Sequence, residues 1–206
     1  LDSIASGLSI AVAKNLSAVR VAGGTYPITE TISLIGGISL LGGYSADFSS
    51  RDFAANETKI SSSTLGSLVS ISDAALTNAD VLEGFTIENS EYTTTTAHSI
   101  AVSCSGTTAS PVIRNNRLIV TRTTANSMRA YGISRSDAPA VDTSLVVKGN
   151  TILVTNTGTS GTVGSLGIYL QGISAASEVL IEENVIAADG GTAESGGIVC
   201  NADNGK

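Results

Sequence analysis

Val147-Lys-Gly-Asn-Thr-Ile152 is one copy of a pattern that occurs four times in the chain. The others are Leu82-Glu-Gly-Phe-Thr-Ile87, Ile113-Arg-Asn-Asn-Arg-Leu118 and Ile181-Glu-Glu-Asn-Val-Ile186. Each starts on an apolar residue, carries Phe or Asn three places on, and returns to Leu or Ile two places later. The copies begin 31, 34 and 34 residues apart. Self-similarity at a fixed period of this size marks a stacked-repeat architecture.

A second marker shares the period. Ile100, Ile133, Ile168 and Ile198 are spaced 33, 35 and 30 residues apart, and the last three directly follow a glycine. Each period also holds three short apolar segments, such as Gly167-Ile-Tyr-Leu170, Val179-Leu-Ile181 and Val185-Ile186. Alternation within such segments turns one set of side chains inward, so each period reads as a three-sided coil. The prediction is an all-β fold, a right-handed single-stranded parallel β-helix of about five coils, with strands about 4.8 Å apart along the stack. Asn116, Asn150 and Asn184 share one position in the repeat. An Asn amide tolerates a sharp bend and both donates and accepts, so the three are expected to form a structural ladder.

Composition fits this reading. Charged residues make up 14% and aromatics 4%, and there is no Trp, while Ile, Leu and Val recur throughout. The formal charge of −7, with Lys+Arg 11 against Asp+Glu 18, argues against a nucleic-acid partner. No run of eighteen apolar residues occurs, so no membrane span is expected. Cys104 and Cys200 form neither a disulfide framework nor a zinc motif. Counting Ile100, Ile133, Ile168 and Ile198 places the two cysteines three coils apart, too far to bond.

The front of the chain is different. Ile4, Leu8, Ala11 and Val12 recur at helical spacing behind Asp2 and Ser3, which predicts a capping helix over about 2–14. Val19–Val21, Thr31–Leu34 and Ile38–Leu41 read as three strands separated by Gly23-Gly24 and Gly36-Gly37. From Leu40 to Leu82 is 42 residues, longer than the later period, so a loop is inserted over about 42–56. It carries Tyr44, Phe48, Arg51, Asp52 and Phe53, a candidate binding loop. Its aromatics are expected to pack the loop onto the helix wall; a stacking surface for a sugar ring or a partner is the alternative. The whole chain, 1–206, reads as one β-helix domain. It stops after Gly197-Ile-Val-Cys200 in mid-coil, so a longer natural protein is expected, and the open C-terminal coil could stack end to end on another chain.

Ala22-Gly-Gly-Thr-Tyr26, Leu41-Gly-Gly-Tyr44, Arg51-Asp52 and Glu83-Gly-Phe-Thr-Ile87 resemble the opening coils of pectin-lyase-like β-helix proteins. The resemblance covers nearly the whole chain, but its motifs specify architecture. Many members are bacterial surface or secreted proteins, adhesin-like or autotransporter-passenger-like. It therefore implies an extracellular or cell-surface scaffold that binds polysaccharide or a host matrix surface.

Catalytic members of that superfamily hold calcium through clustered acids, with an Arg as base, or use Asp clusters that include Asn-Thr-Asp and Asp-Asp pairs. This sequence has neither pair. Glu182 could face outward, but Lys148 stands at the equivalent place one coil earlier, which predicts a cross-coil ion pair. The single histidine, His98, follows the Thr-rich stretch Thr93 to Thr96 and reads as a solvated loop residue. No catalytic residue, cofactor or metal ligand is assigned. The leading expectation is a non-catalytic module; a fragment of a polysaccharide lyase or glycoside hydrolase whose site is missing or atypical is the alternative.

Overall fold

Leu40, Leu82, Ile113, Val147 and Ile181 lie side by side on successive parallel strands, and the first four are wholly buried. Full burial of such a side chain contributes about 1.5–3 kcal/mol, and the column repeats it in four successive layers. The computed structural model describes residues 3–90, 97–105, 108–123, 128–159, 163–190 and 194–201, and only the backbone of residues 137–141.

The strands fall into six layers of three. The first holds β1 (Ala18–Ala22), β2 (Gly24–Pro27) and β3 (Ile32–Ser33), and the second β4 (Ser39–Tyr44), β5 (Thr58–Ser62) and β6 (Ser67–Ile71). The third holds β7 (Val81–Glu83), β8 (Phe85–Ser90) and β9 (Ser99–Cys104), and the fourth β10 (Val112–Arg114), β11 (Arg117–Arg122) and β12 (Ala130–Val141). The last two are β13 (Val146–Lys148), β14 (Thr151–Asn156) and β15 (Gly164–Ile173), then β16 (Leu180–Glu182), β17 (Val185–Asp189) and β18 (Glu194–Asn201). Every third strand pairs in parallel, giving three six-stranded sheets and five complete turns from β1 to β16. The chain is therefore a parallel β-solenoid.

The first turn departs from the sequence reading. Gly24 does not separate strands but begins β2, a strand that the short segment Gly24–Pro27 did not announce. Ile38 stands just before β4, so the third predicted strand opens the second layer. A helix, α1 (Ile4–Ala13), covers the end of the stack with Ile4, Gly7, Leu8 and Ala11 buried. The Ser3 hydroxyl accepts the Ser6 N–H at 3.1 Å and so caps it.

The second marker needs one correction. Ile133, Ile168 and Ile198 are in register, but the residue opposite Ile133 in β9 is Val102, and Ile100 lies opposite Tyr131. The third sheet bends here, so that two consecutive residues, Ala101 and Val102, both enter the core. Leu68, Ala101, Gly132 and Gly167 follow one another at the first of these inner places. A Cβ on Gly167 would stand 2.2 Å from Ile186 Cγ2 and 2.5 Å from the Gly197 carbonyl oxygen. The layer of β9 has Ala where later layers have Gly, and the neighbouring isoleucine took the marker's place.

Two arginines are buried in the solenoid, which the sequence pattern did not suggest. Arg122 donates to Ser99 Oγ at 2.8 Å and to the Ala97 carbonyl at 3.3 Å, and Arg135 donates to the Ala109 carbonyl at 3.3 Å. Cys104, Arg135, Leu170 and Cys200 occupy one register position in four successive layers, and no disulfide joins the two cysteines.

Candidate functional site

Where the first strand of a layer turns into the second, one residue takes left-handed backbone angles. These residues are Gly84, Asn115, Gly149 and Glu183, with φ of 79°, 52°, 64° and 56°. The residue after each holds the corner. Asn116 Oδ1 accepts the Phe85 N–H at 3.1 Å, Asn150 Oδ1 accepts the Asn116 N–H at 3.0 Å, and Asn184 Oδ1 accepts the Asn150 N–H at 2.9 Å. The Nδ2 groups donate back to carbonyls of the preceding layer, Leu82, Ile113 and Val147, each at 2.9 Å. The three asparagines thus form one continuous stack whose side-chain oxygens and nitrogens all have partners.

The inserted loop lies against this corner. Arg51 projects from it to Glu83, with Nη1 2.9 Å from Oε2, and Nε donates to the Gly42 carbonyl at 2.9 Å. Glu83 also accepts from Arg114 Nε at 3.0 Å and from Asn115 Nδ2 at 2.9 Å. Burial raises the Glu83 pKa, but the bonds from Asn115, Arg114 and Arg51 outweigh it and hold the carboxyl below its usual range. The Arg51 guanidinium lies over two rings, 5.3 Å from the centre of Tyr44 and 4.8 Å from that of Phe53. Asp52 Oδ1 accepts the N–H groups of Ala54 and Ala55 at 2.9 and 3.1 Å. Tyr44, Arg51 and Asp52 are therefore committed to holding the loop in place. Phe48, at φ 59°, and Phe53 remain exposed.

Phe53 stands beside a groove of about 580 Å³ on the outer face of the second sheet. Its lining includes Glu57, Thr86, Asn115, Arg117 and Thr151. Thr86, Arg117 and Thr151 are register neighbours on β8, β11 and β14. They follow one another at about 4.8 Å along the stack. Each is the residue directly after the ladder position, so the repeat that builds the corner also places the groove's polar groups. Glu57 accepts from the Thr86 hydroxyl at 2.8 Å. Arg117 is exposed and has no ion-pair partner among the described residues. The only signal for the groove in the sequence was the residue after each Phe or Asn, which is uninformative until the layers are stacked.

Chemically the groove offers one exposed aromatic edge, one carboxylate, one guanidinium and a line of hydroxyls. Glycoside hydrolysis by the usual route needs two carboxyl groups about 5–9.5 Å apart. Glu57 is the single carboxylate among the lining residues. Glu88, further along the same face, is paired with Lys59 at 2.7 Å, and Lys148 meets Glu182 at 2.8 Å. No group of three His, Cys, Asp or Glu side chains gathers among the described residues.

His98 is not a solvated loop residue. It is half-buried, with its ring edge-on to Tyr131 at 5.2 Å and 90°. The stretch Thr93 to Thr96 lies outside the described residues. No helix is long and apolar enough to cross a membrane among the described residues. No known protein family, curated protein or solved structure matches the chain.

Proposed function

We propose that this chain is a non-catalytic scaffold and adhesion module that binds carbohydrate in the groove beside Phe53. The observation that carries the reading is the combination of an exposed ring with hydroxyl, carboxylate and guanidinium groups along one open face. An exposed aromatic edge offers the apolar side of a sugar a contact, and sugar hydroxyls exchange hydrogen bonds with such polar groups. The single carboxylate favours binding over hydrolysis. The resemblance of the opening coils to pectin-lyase-like proteins supports reading the module as part of a secreted or cell-surface protein of bacterial type. A matrix glycan or a polysaccharide is then the partner.

A glycan and matrix-protein array, followed by calorimetry on any hit, tests this. The wild-type protein is expected to bind at least one saccharide class, and Phe53→Ala and Arg117→Ala are each expected to weaken binding about tenfold or more. No binding to any glycan, or binding that both variants leave intact, overturns the reading.

A further inference from the structure

We propose that His98 is an acid-released latch between two layers of the solenoid. Uncharged, its ring holds the backbone N–H of Arg129 in the segment entering β12; protonated, the ring lets go of it.

The geometry makes the bond depend on the ring's charge. His98 Nδ1 accepts the backbone N–H of Arg129 at 3.0 Å, across 31 residues of sequence and one layer of the stack. A ring nitrogen accepts only while it carries no proton, so an imidazolium cannot make this bond. The neutral ring must then hold its hydrogen on Nε2. The residues on either side are fixed independently. Arg122 donates to Ala97 O and Ser99 Oγ, and the Ser99 N–H donates to the Arg129 carbonyl at 3.1 Å. The latch is therefore one local contact within a frame that stays closed.

Among the described residues, the charged groups facing His98 oppose a proton. Arg129 comes from the segment before β12 and Arg122 from the end of β11, and Tyr131 on β12 presents an uncharged ring. Burial, then Arg129, then Arg122 hold the imidazole below its ordinary value of 6.5. The unfolded chain thus takes up the proton more readily than the fold. The latch's contribution is fully present above about pH 6.5 and is lost progressively as pH falls through the unfolded value toward the lower folded one. The Glu194 carboxylate pairs with the Arg129 guanidinium at 3.4 Å and helps to hold that cation in place.

What the latch covers is an apolar cluster on the outer face of the third sheet. Tyr131 is only 4% exposed and packs with Leu166 and Tyr169, the two tyrosine rings 5.4 Å apart. Release of His98 uncovers one face of Tyr131, so acid would present an aromatic surface that is closed at neutral pH.

The chain has a single histidine, so its ring proton signal in an NMR titration needs no assignment. The His98 pKa is expected below 6.5. Exchange of the Arg129 amide, corrected for the intrinsic effect of pH, is expected to speed up about tenfold or more between pH 7 and pH 5, with the same midpoint. His98→Asn supplies an acceptor that does not titrate, and its Arg129 amide is expected to stay equally protected at both pH values. A His98 pKa at or above 6.5 would overturn the latch, as would an Asn variant with the same acid response. Should that variant not fold, the two wild-type midpoints decide: coincidence supports the latch and separation refutes it.

Discussion

The backbone N–H of Asn116 donates to the side-chain oxygen of Asn150, 3.0 Å away and 34 residues later. The same Asn150 amide donates to the Ile113 carbonyl and to Asn184 Oδ1, both at 2.9 Å. Asn150→Ala removes all of these and leaves buried backbone groups of two layers without partners. It is expected to lower stability by about 2–3 kcal/mol, measured as the urea midpoint at constant slope.

Glu183 sits at φ 56° where the equivalent residues are Gly84, Asn115 and Gly149. A side chain at such angles costs about 1–2 kcal/mol, and glycine's greater freedom in the unfolded chain returns part of that. Glu183→Gly is expected to raise stability by about 0.5–1 kcal/mol, although it gives up an exposed contact with Lys148. The reverse change, Gly149→Ala, puts a Cβ 2.8 Å from Asn115 Oδ1 at φ 64° and is expected to destabilise. Thermal midpoints of the two variants moving in the same direction would contradict this account of the corner.

Glu83 is the hub of three donors and is nearly buried, whereas Arg114 is close to half exposed. Glu83→Ala strands Arg51 against the wall and is expected to cost about 3 kcal/mol. Arg114→Ala is expected to cost less than about 1 kcal/mol, as for an exposed pair. Because the folded carboxyl is held below its usual value, its contribution is present above about pH 4.5 and is lost as pH falls below that. Stability curves of the wild type and Glu83→Gln should therefore converge at acid pH.

Cys104 and Cys200 stand three layers apart, roughly 14 Å along the stack. A disulfide needs Cα atoms within about 7 Å. Labelling of the denatured, unreduced monomer is expected to find two thiols, and an intramolecular bond detected by mass spectrometry would contradict the register.

How much of this was readable beforehand depended on how each feature is encoded. From the third layer on, the first two sheets were legible because the corner asparagines sit at constant distance from strong apolar residues, so a single motif fixed both strands. The third sheet was harder, since its bend turns consecutive residues inward and breaks the period-two rule that reading relies on. Ile100 was misplaced for that reason. His98 was misread because its burial comes from Tyr131 and Arg129 in the next layer, contacts that no local pattern contains. Of the loop residues, Arg51 acts through Glu83, 32 positions away. Phe53 gains its meaning only when Thr86, Arg117 and Thr151 line up beneath it.

The asparagine stack has one more consequence. At every joint the same atoms meet in the same order, a backbone N–H below and an amide oxygen above. A block of 34 residues, such as 116–149, therefore carries a matching plug at one end and a matching socket at the other. Doubling or deleting that block changes the length of the rod without altering the chemistry of either junction. The molecule's height is thus set by counting such blocks, while the groove on its flank stays tied to the ones that carry Thr86, Arg117 and Thr151.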